Sequence, residues 1–122
     1  MNWNECAPFF ESLEFDCKCG CGLNNMHQDH MDKLIAARVR AKIPFIINSG
    51  SRCKEHNRAV GGSVTSDHCF GHGSDIQARS GRAKWIILES LMAVGFNRIG
   101  IGKDFIHAGS EPKNPERVVW TY

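Results

Sequence analysis

No stretch of the 122-residue sequence is apolar for the roughly 20 residues that a membrane-spanning helix needs. The first residues, Met1 to Cys6, contain neither a basic cluster nor an apolar run, so we expect no signal peptide. Basic residues exceed acidic residues only slightly, 15 against 13, and they are scattered along the chain. This charge balance argues against a nucleic-acid-binding protein. We therefore predict a protein synthesised in the cytoplasm, with neither a membrane nor a nucleic acid as its partner.

The chain is also too short for two typical domains. With 42% hydrophobic and 23% charged residues, it can build one hydrophobic core. We predict a single domain spanning residues 1–122 that acts as a monomer. Its six cysteines argue weakly against an obligatory disulfide framework, because the cytoplasm keeps thiols reduced.

Two short segments, residues 66–76 and 104–107, contain the side chains of a candidate metal site. Two imidazoles, from His68 and His107, and one carboxylate, from Asp75, suit zinc. Three protein ligands leave a fourth position for a water molecule that the ion acidifies. The glycines between His68 and Asp75 allow the backbone to curl so that both side chains converge. The alternative is a glycine-rich loop whose histidine and aspartate only form turn hydrogen bonds.

The same segments resemble the zinc site of the M15 peptidases, a family that includes D-Ala-D-Ala carboxypeptidases and phage endolysin-type cell-wall enzymes. The resemblance rests first on the patterns Ser66-x-His68-x-x-Gly71-x-x-x-Asp75-Ile76 and Phe105-Ile106-His107. Further matching segments cover most of the chain: Cys19-Gly20-Cys21-Gly22, Ser49-Gly50-Ser51-Arg52-Cys53, His56-Asn57, Val60-Gly61-Gly62, Gly95-Phe96-Asn97-Arg98-Ile99-Gly100-Ile101 and Trp120-Thr121-Tyr122. The chain is similar to the short, single-domain branch of that family.

The resemblance implies an α+β fold, in which a small single domain has a central antiparallel β-sheet of the hedgehog and DD-peptidase kind and two main helices packed on it. The residue patterns predict the elements independently. Apolar periodicity predicts one helix from Asn24 or Asn25 to about residue 40 and another over residues 82–94. Runs of β-forming residues predict strands at 45–47, 75–78, 96–101, 105–108 and 118–122. We expect the last three strands to form an antiparallel meander.

The resemblance also assigns roles to individual residues. His68, Asp75 and His107 match the residues that bind the single Zn²⁺ ion of the family. Asp104, three residues before His107, matches the carboxylate that acts as catalytic base in several members. Residues three apart on a regular strand face opposite sides, so Asp104 needs a bend or bulge to reach the site, and a solvated turn aspartate is the alternative. His72 competes as a ligand, but the glycines on either side disfavour the helix that would place it beside His68.

Arg52 and Ser66 match residues of the family's substrate site. Arg52 resembles the arginine that holds a substrate carboxylate, a role suited to its planar and permanently charged guanidinium. A surface arginine is the alternative. Ser66 matches a residue near the substrate, where its hydroxyl can meet a peptide group, and its alternative role is a hydrogen bond that stabilises the loop.

Many relatives carry an acidic residue two positions after the last ligand, where this chain has Gly109, and this departure favours a weakly active or inactive protein.

Cys17, Cys19 and Cys21 are separated by single residues, unlike the two-residue spacers of common zinc knuckles. Cys53 recurs with this loop in similar proteins. A disulfide between Cys53 and Cys19 or Cys21, a second metal site, and free thiols all remain open.

These implications lead to one leading function and two alternatives. The leading function is a zinc-dependent metallopeptidase that uses a zinc-activated water to hydrolyse peptidoglycan stem peptides, as a D-Ala-D-Ala carboxypeptidase or an endolysin-type endopeptidase. We expect it to act on the cell wall or in the periplasm after release, as a phage- or prophage-encoded protein would. The first alternative is a catalytically weak or inactive, zinc-bearing module of the same fold that binds the cell wall or a partner. The second, a nucleic-acid-binding zinc knuckle, lacks the basic and aromatic stripe of such proteins.

Overall fold

The computed structural model describes all residues from Met1 to Tyr122, and a five-stranded sheet lies at its centre. The strands are β1 (Ile47–Ser49), β2 (Gly73–Gln77), β3 (Arg98–Ile101), β4 (Phe105–Gly109) and β5 (Val118–Thr121). Their order across the sheet is β1-β2-β4-β3-β5. Neighbouring strands are antiparallel except for β3 and β5, which are parallel. The predicted α+β fold with a central, mainly antiparallel sheet is therefore confirmed.

The predicted meander is wrong in its last strand. β5 pairs with β3 rather than with β4, and Arg98 lies opposite Val118 at the start of both strands. The other edge of β4 is already paired with β2 along the whole of both strands. The connection over residues 110–117 starts at the end of β4, beside the start of β3. Strand β5 therefore begins next to Arg98 and runs in the same direction as β3.

Three α-helices accompany the sheet: α1 (Gln28–Ala41), α2 (Lys54–Ala59) and α3 (Gly81–Ala93). Helix α3 begins close to the predicted position because the Ser80 hydroxyl accepts a hydrogen bond from the first turn. Helix α1 begins later than predicted because neither asparagine caps it. Asn24 donates a hydrogen bond to Asp16 instead, and Asn25 donates one to the Cys69 carbonyl. No helix is both long enough and apolar enough to span a membrane.

The hydrophobic core lies between one face of the sheet and the helices. Helix α1 packs against α3, and α3 packs on β4. Ile76 on β2 and Ile106 and Ala108 on β4 are fully buried in this core. Because strand residues alternate between faces, Asp75 and His107 project from the other face of the sheet. The fold thus presents these two candidate ligands on the side away from the core.

Candidate metal centre

The structure brings the side chains of His68, Asp75 and His107 together. Asp75 on β2 lies directly opposite His107 on β4, so both side chains project from the same face of the sheet. His68 belongs to a 3₁₀ turn, Asp67–Phe70, that precedes β2. Asp75 Oδ1 is 3.1 Å from His68 Nε2 and 2.8 Å from His107 Nδ1. The candidate donor atoms all lie within 4.8 Å of one another, so one ion could contact all three.

Local backbone chemistry holds the turn that carries His68. The Ser66 hydroxyl caps this turn and accepts a hydrogen bond of 3.3 Å from the His68 backbone N–H. Gly71 ends the turn with a φ of 75°, a left-handed conformation that glycine adopts without strain. A Cβ at position 71 would also overlap the carbonyl oxygen of Asn25. The predicted convergence therefore depends on Gly71 in particular.

Each histidine uses its second ring nitrogen to hold the ring in place. His68 Nδ1 is 2.7 Å from the Gly50 carbonyl oxygen, which can only accept, so Nδ1 donates and Nε2 is the nitrogen that faces Asp75. His107 Nε2 is 2.9 Å from Asp67 Oδ2, which leaves Nδ1 facing Asp75. Such outer partners orient the imidazoles in metal sites. Two oriented imidazole nitrogens and one carboxylate form a donor set that fits zinc.

Opposing effects set the protonation of these groups. Burial would raise the pKa of Asp75, but its hydrogen bonds with His107 and His68 hold that pKa well below its usual range. Burial would lower the pKa of His107, but its hydrogen bonds with Asp67 and Asp75 raise it. His107 thus tends to keep a proton between two carboxylates. A divalent cation among the same donor atoms would displace the proton that faces Asp75.

Asp67 is the main site residue that the sequence patterns did not identify. Its carboxylate is 2% exposed and accepts hydrogen bonds from Arg98 Nε and Nη2 at 3.1 and 3.2 Å, as well as from His107. It also accepts a hydrogen bond from the Glu111 backbone N–H at 3.1 Å. Burial would raise the pKa of Asp67, but the hydrogen bonds from His107 and Arg98 hold it far below its usual range. This ionised carboxylate orients His107, and only its place beside His68 in the sequence could have indicated it.

The space around Asp67 explains why position 109 has no side chain. Gly109 lies on the same face of β4 as His107. A Cβ at Gly109 would be 2.7 Å from Asp67 Cγ and 3.0 Å from His107 Nε2. The Asp67 carboxylate therefore occupies the volume that an acidic side chain at position 109 would need. Where many relatives have an acidic side chain on β4, this chain has the Asp67 carboxylate, which comes from the turn before β2.

Arg52 lies beside the candidate ligands, in the segment between β1 and α2. Its side chain is 13% exposed, and its Nη2 is 3.9 Å from Asp75 Oδ2. Nη1 donates to Asn57 Oδ1 at 3.1 Å, and Nη2 donates to Ser49 Oγ at 3.4 Å. Nε is buried without a hydrogen-bond partner, so the guanidinium still has a free donor. Arg52 is therefore held at the site and is not an exposed surface arginine. Asn57, which accepts its hydrogen bond, is a second site residue that the sequence patterns did not identify.

The structure does not bring Asp104 to the site. Asp104 lies in the bend before β4, its side chain is exposed, and it is not among the residues that line the cavity. Strand β4 pairs in regular register from Phe105 to Gly109, without the bulge that would turn Asp104 toward His107. The two side chains therefore leave opposite faces of the strand. The structure thus places Asp104 in the bend, as in the turn alternative, rather than beside the ligands.

His72 is also separate from the three donors. Its ring stacks on His27 with 4.2 Å between the ring centroids, and its Nδ1 is 3.1 Å from Ser110 Oγ. His72 therefore lies in the loop and away from the three donors, in agreement with the expectation that no helix places it beside His68.

A cavity of about 670 Å³ opens over the candidate metal centre. Arg52 and Ser66 line it, together with Arg98 and Trp120. The Trp120 ring centroid is 5.4 Å from that of His107. The Arg98 guanidinium also lies 5.4 Å from the Trp120 ring. Arg98 already donates to Asp67 and to the Pro115 carbonyl, so Arg52 is the guanidinium that faces the metal centre. This guanidinium and the aromatic wall suit a peptide with a carboxylate close to the metal centre.

Comparison with known proteins agrees with this geometry. A family model described as Peptidase M15 matches residues 9–109, which include the three candidate ligands. No match was found among curated proteins. Peptidases of this family are generally zinc-dependent, in keeping with the His and Asp donor set. The chain therefore belongs to the peptidase M15 family.

Proposed function

We propose that this protein is a zinc-dependent metallopeptidase that hydrolyses peptide bonds in the stem peptides of peptidoglycan. The proposal is carried by the convergence of His68, Asp75 and His107 at an open cavity. The family assignment supports a peptidase, and the cell-wall substrate is suggested by the resemblance to D-Ala-D-Ala carboxypeptidases and endolysins. A zinc ion held by these ligands supplies a Lewis acid that polarises a carbonyl and lowers the pKa of a water molecule.

Residues around the ligands prepare the site for this chemistry. Asp67 and the Gly50 carbonyl accept hydrogen bonds from His107 and His68, and these bonds keep the opposite nitrogens aimed at one point. The Trp120 ring packs beside His107, with 5.4 Å between the ring centroids, and restricts the movement of the imidazole. The site is thus oriented before a substrate arrives.

Arg52 is the proposed anchor for the substrate. Asn57 and Ser49 hold its guanidinium next to Asp75, at the wall of the cavity. A guanidinium fork pairs well with a carboxylate. We propose that Arg52 binds the terminal carboxylate of the stem peptide, as in a carboxypeptidase, while the Ser66 hydroxyl contacts a neighbouring peptide group. An endopeptidase would place an internal peptide carbonyl at the same position.

The cavity has no free carboxylate beside the ligands to accept a proton. Apart from Asp75, Asp67 is the only carboxylate in the cavity lining. Its oxygens are occupied by Arg98, His107 and a backbone N–H, and its lowered pKa makes it a weak base. This observation favours a second candidate function, in which the chain is a weakly active or inactive zinc-bearing module that binds the cell wall.

Purified peptidoglycan sacculi distinguish the two functions. The zinc-loaded protein is incubated with sacculi, and new amino groups, free D-alanine and sedimented protein are measured. A peptidase releases amino groups, and His68→Ala abolishes this release while His72→Ala, in the same loop, retains it. Binding to sacculi without any release of amino groups supports the binding module instead. The absence of both binding and release contradicts both functions. Peptides with a free and an amidated carboxyl terminus then separate a carboxypeptidase from an endopeptidase.

The proposed substrate lies outside the cytoplasm. We therefore propose that the protein acts on the cell wall or in the periplasm after release, in the manner of a phage- or prophage-encoded enzyme. Immunodetection in fractionated cells, with and without lysis, tests this location.

A further inference from the structure

A second group of metal-binding side chains lies outside the cavity. It consists of Cys17, Cys19, Cys21 and Cys53, which we call the cysteine cluster. Their four Sγ atoms lie within 4.8 Å of one another. The Sγ of Cys19 is 3.4 Å from that of Cys17 and 3.7 Å from that of Cys53. Cys69 and Cys6 are not members of this cluster.

The backbone of the first loop is shaped to bring three of these sulfurs together. In an extended strand, alternate residues are about 6.6 Å apart, and three such cysteines would be spread along the chain. Here the Cys17 carbonyl accepts a hydrogen bond from the Gly20 N–H at 3.2 Å, and the Cys17 N–H donates to the Leu23 carbonyl at 2.9 Å. Gly20 and Gly22 have φ angles of 88° and 84°, which only glycine adopts freely. The loop therefore closes on itself and brings its sulfurs close to one another.

The fourth sulfur comes from a distant part of the chain and is positioned by hydrogen bonds. Cys53 is 36 residues from Cys17, and its backbone N–H donates to Cys17 Sγ at 3.4 Å. The Cys53 sulfur caps helix α2 and accepts a hydrogen bond from the His56 N–H at 3.3 Å. Backbone N–H groups directed at sulfur stabilise thiolates and orient them as ligands.

We propose that the cysteine cluster binds a structural zinc ion through all four thiolates. Tetrahedral zinc with bonds of about 2.3 Å to sulfur requires sulfurs about 3.8 Å apart, close to the separations in the cluster. Four protein ligands complete the coordination sphere and leave no position for a substrate or a reactive water. The site is therefore structural, and it is independent of the function proposed for the cavity.

The position of the cluster gives this zinc a defined effect on the fold. It joins the loop of residues 17–21 to Cys53, which directly follows Arg52 in the chain. Cys19 and Cys21 are exposed, so their side chains contribute little packing of their own. In the absence of such packing, the metal–thiolate bonds fix the position of this loop. Through Cys53 they also fix the segment that carries Arg52. Binding ligands from two distant segments contributes directly to folding stability.

The test measures zinc per chain in protein purified under reducing conditions. His68→Ala is used as background, so that the cavity contributes no metal. We expect about one zinc to remain in this variant and to be lost on adding Cys19→Ser or Cys21→Ser. Cys69→Ser, which changes a cysteine outside the cluster, should retain the zinc.

Cobalt substitution of the otherwise unmodified chain provides a readout that needs no variant of the cluster. Thiolate-bound Co²⁺ shows intense sulfur-to-metal charge-transfer absorption, whereas Co²⁺ bound to histidine and aspartate does not. This absorption is expected in the full chain and in Cys69→Ser. Its absence, retention of zinc after Cys21→Ser in the His68→Ala background, or a native mass showing a disulfide within the cluster would each overturn the proposal.

Discussion

The close approach of Gly109 to Asp67 predicts that even a methyl group at position 109 destabilises the protein. In Gly109→Ala the new Cβ would be 2.7 Å from Asp67 Cγ. Asp67 cannot move aside cheaply, because Arg98, His107 and the Glu111 N–H all hold its carboxylate. Overpacking of this kind typically costs about 1–3 kcal/mol. We expect Gly109→Ala to lower the free energy of unfolding by about that amount.

Gly109→Asp adds a second carboxylate to the same volume and should be more destabilising than Gly109→Ala. It should not create activity in the otherwise unchanged protein. Asp67→Ala alone leaves Arg98 and His107 without their acceptor, and breaking a buried pair in this way costs roughly 3–5 kcal/mol. In the double variant Asp67→Ala/Gly109→Asp the new carboxylate takes over the vacated space. The double variant should therefore lose less unfolding free energy than the two single variants lose together. The difference is a coupling energy of about 1–3 kcal/mol.

Urea denaturation of the zinc-saturated variants measures these differences. Gly81→Ala is the matched control, because a Cβ at Gly81 meets no atom within 4 Å and the residue lies in the first turn of α3. It should be neutral or slightly stabilising. Two results would contradict the steric conflict between position 109 and Asp67. One is a Gly109→Ala variant that unfolds at the wild-type urea midpoint, and the other is a double variant whose loss of unfolding free energy equals the sum of the two single losses.

Four further predictions concern single side chains. His68→Ala should lose the zinc of the cavity and His72→Ala should keep it; metal analysis with the reverse result would show that the donor set is wrong. Asp104→Asn should leave kcat close to that of the wild type, whereas a loss of about 10²-fold or more would restore Asp104 as the base. Arg52→Lys should raise KM for a peptide with a free carboxylate and change kcat little, and an unchanged KM would remove the proposed contact. Burial lowers the pKa of His30, with His72 as a second cause, so the unfolded chain binds a proton that the folded chain does not. The free energy of unfolding should therefore fall as the pH drops below about 6.5, by up to about 1.4 kcal/mol per pH unit, and this slope should be smaller in His30→Gln; equal slopes in urea titrations would contradict it.

Features that depend on neighbouring residues could be predicted from the sequence. Ser80 followed by an apolar periodic segment predicts α3 to within one residue at each end. The residue types of His68, Asp75 and His107 indicate a metal site, and the glycine beyond His68 indicates a sharp turn. The fold class follows from the pattern of elements together with the family resemblance.

Other features depend on contacts between distant parts of the chain, so only the tertiary structure decided them. Asp67 binds Arg98, His107 and Glu111, which lie 31, 40 and 44 residues further along the chain. No local pattern distinguishes this aspartate from an exposed turn residue. The pairing of β5 with β3 depends on which sheet edge remains free after β2 has paired with β4.

The contrast between Asp104 and Asp67 shows the physical reason most directly. Sequence spacing placed Asp104 three residues from His107, but the face to which a strand residue points is set by the register of the whole sheet. Asp67 reaches His107 because a turn packs over the end of β4, where Gly109 leaves room for its carboxylate. The sequence determined which chemical groups are available and where the chain can turn. Packing of the sheet against the turn determined which carboxylate reaches the histidine, because that distance depends on segments that meet only in the folded protein.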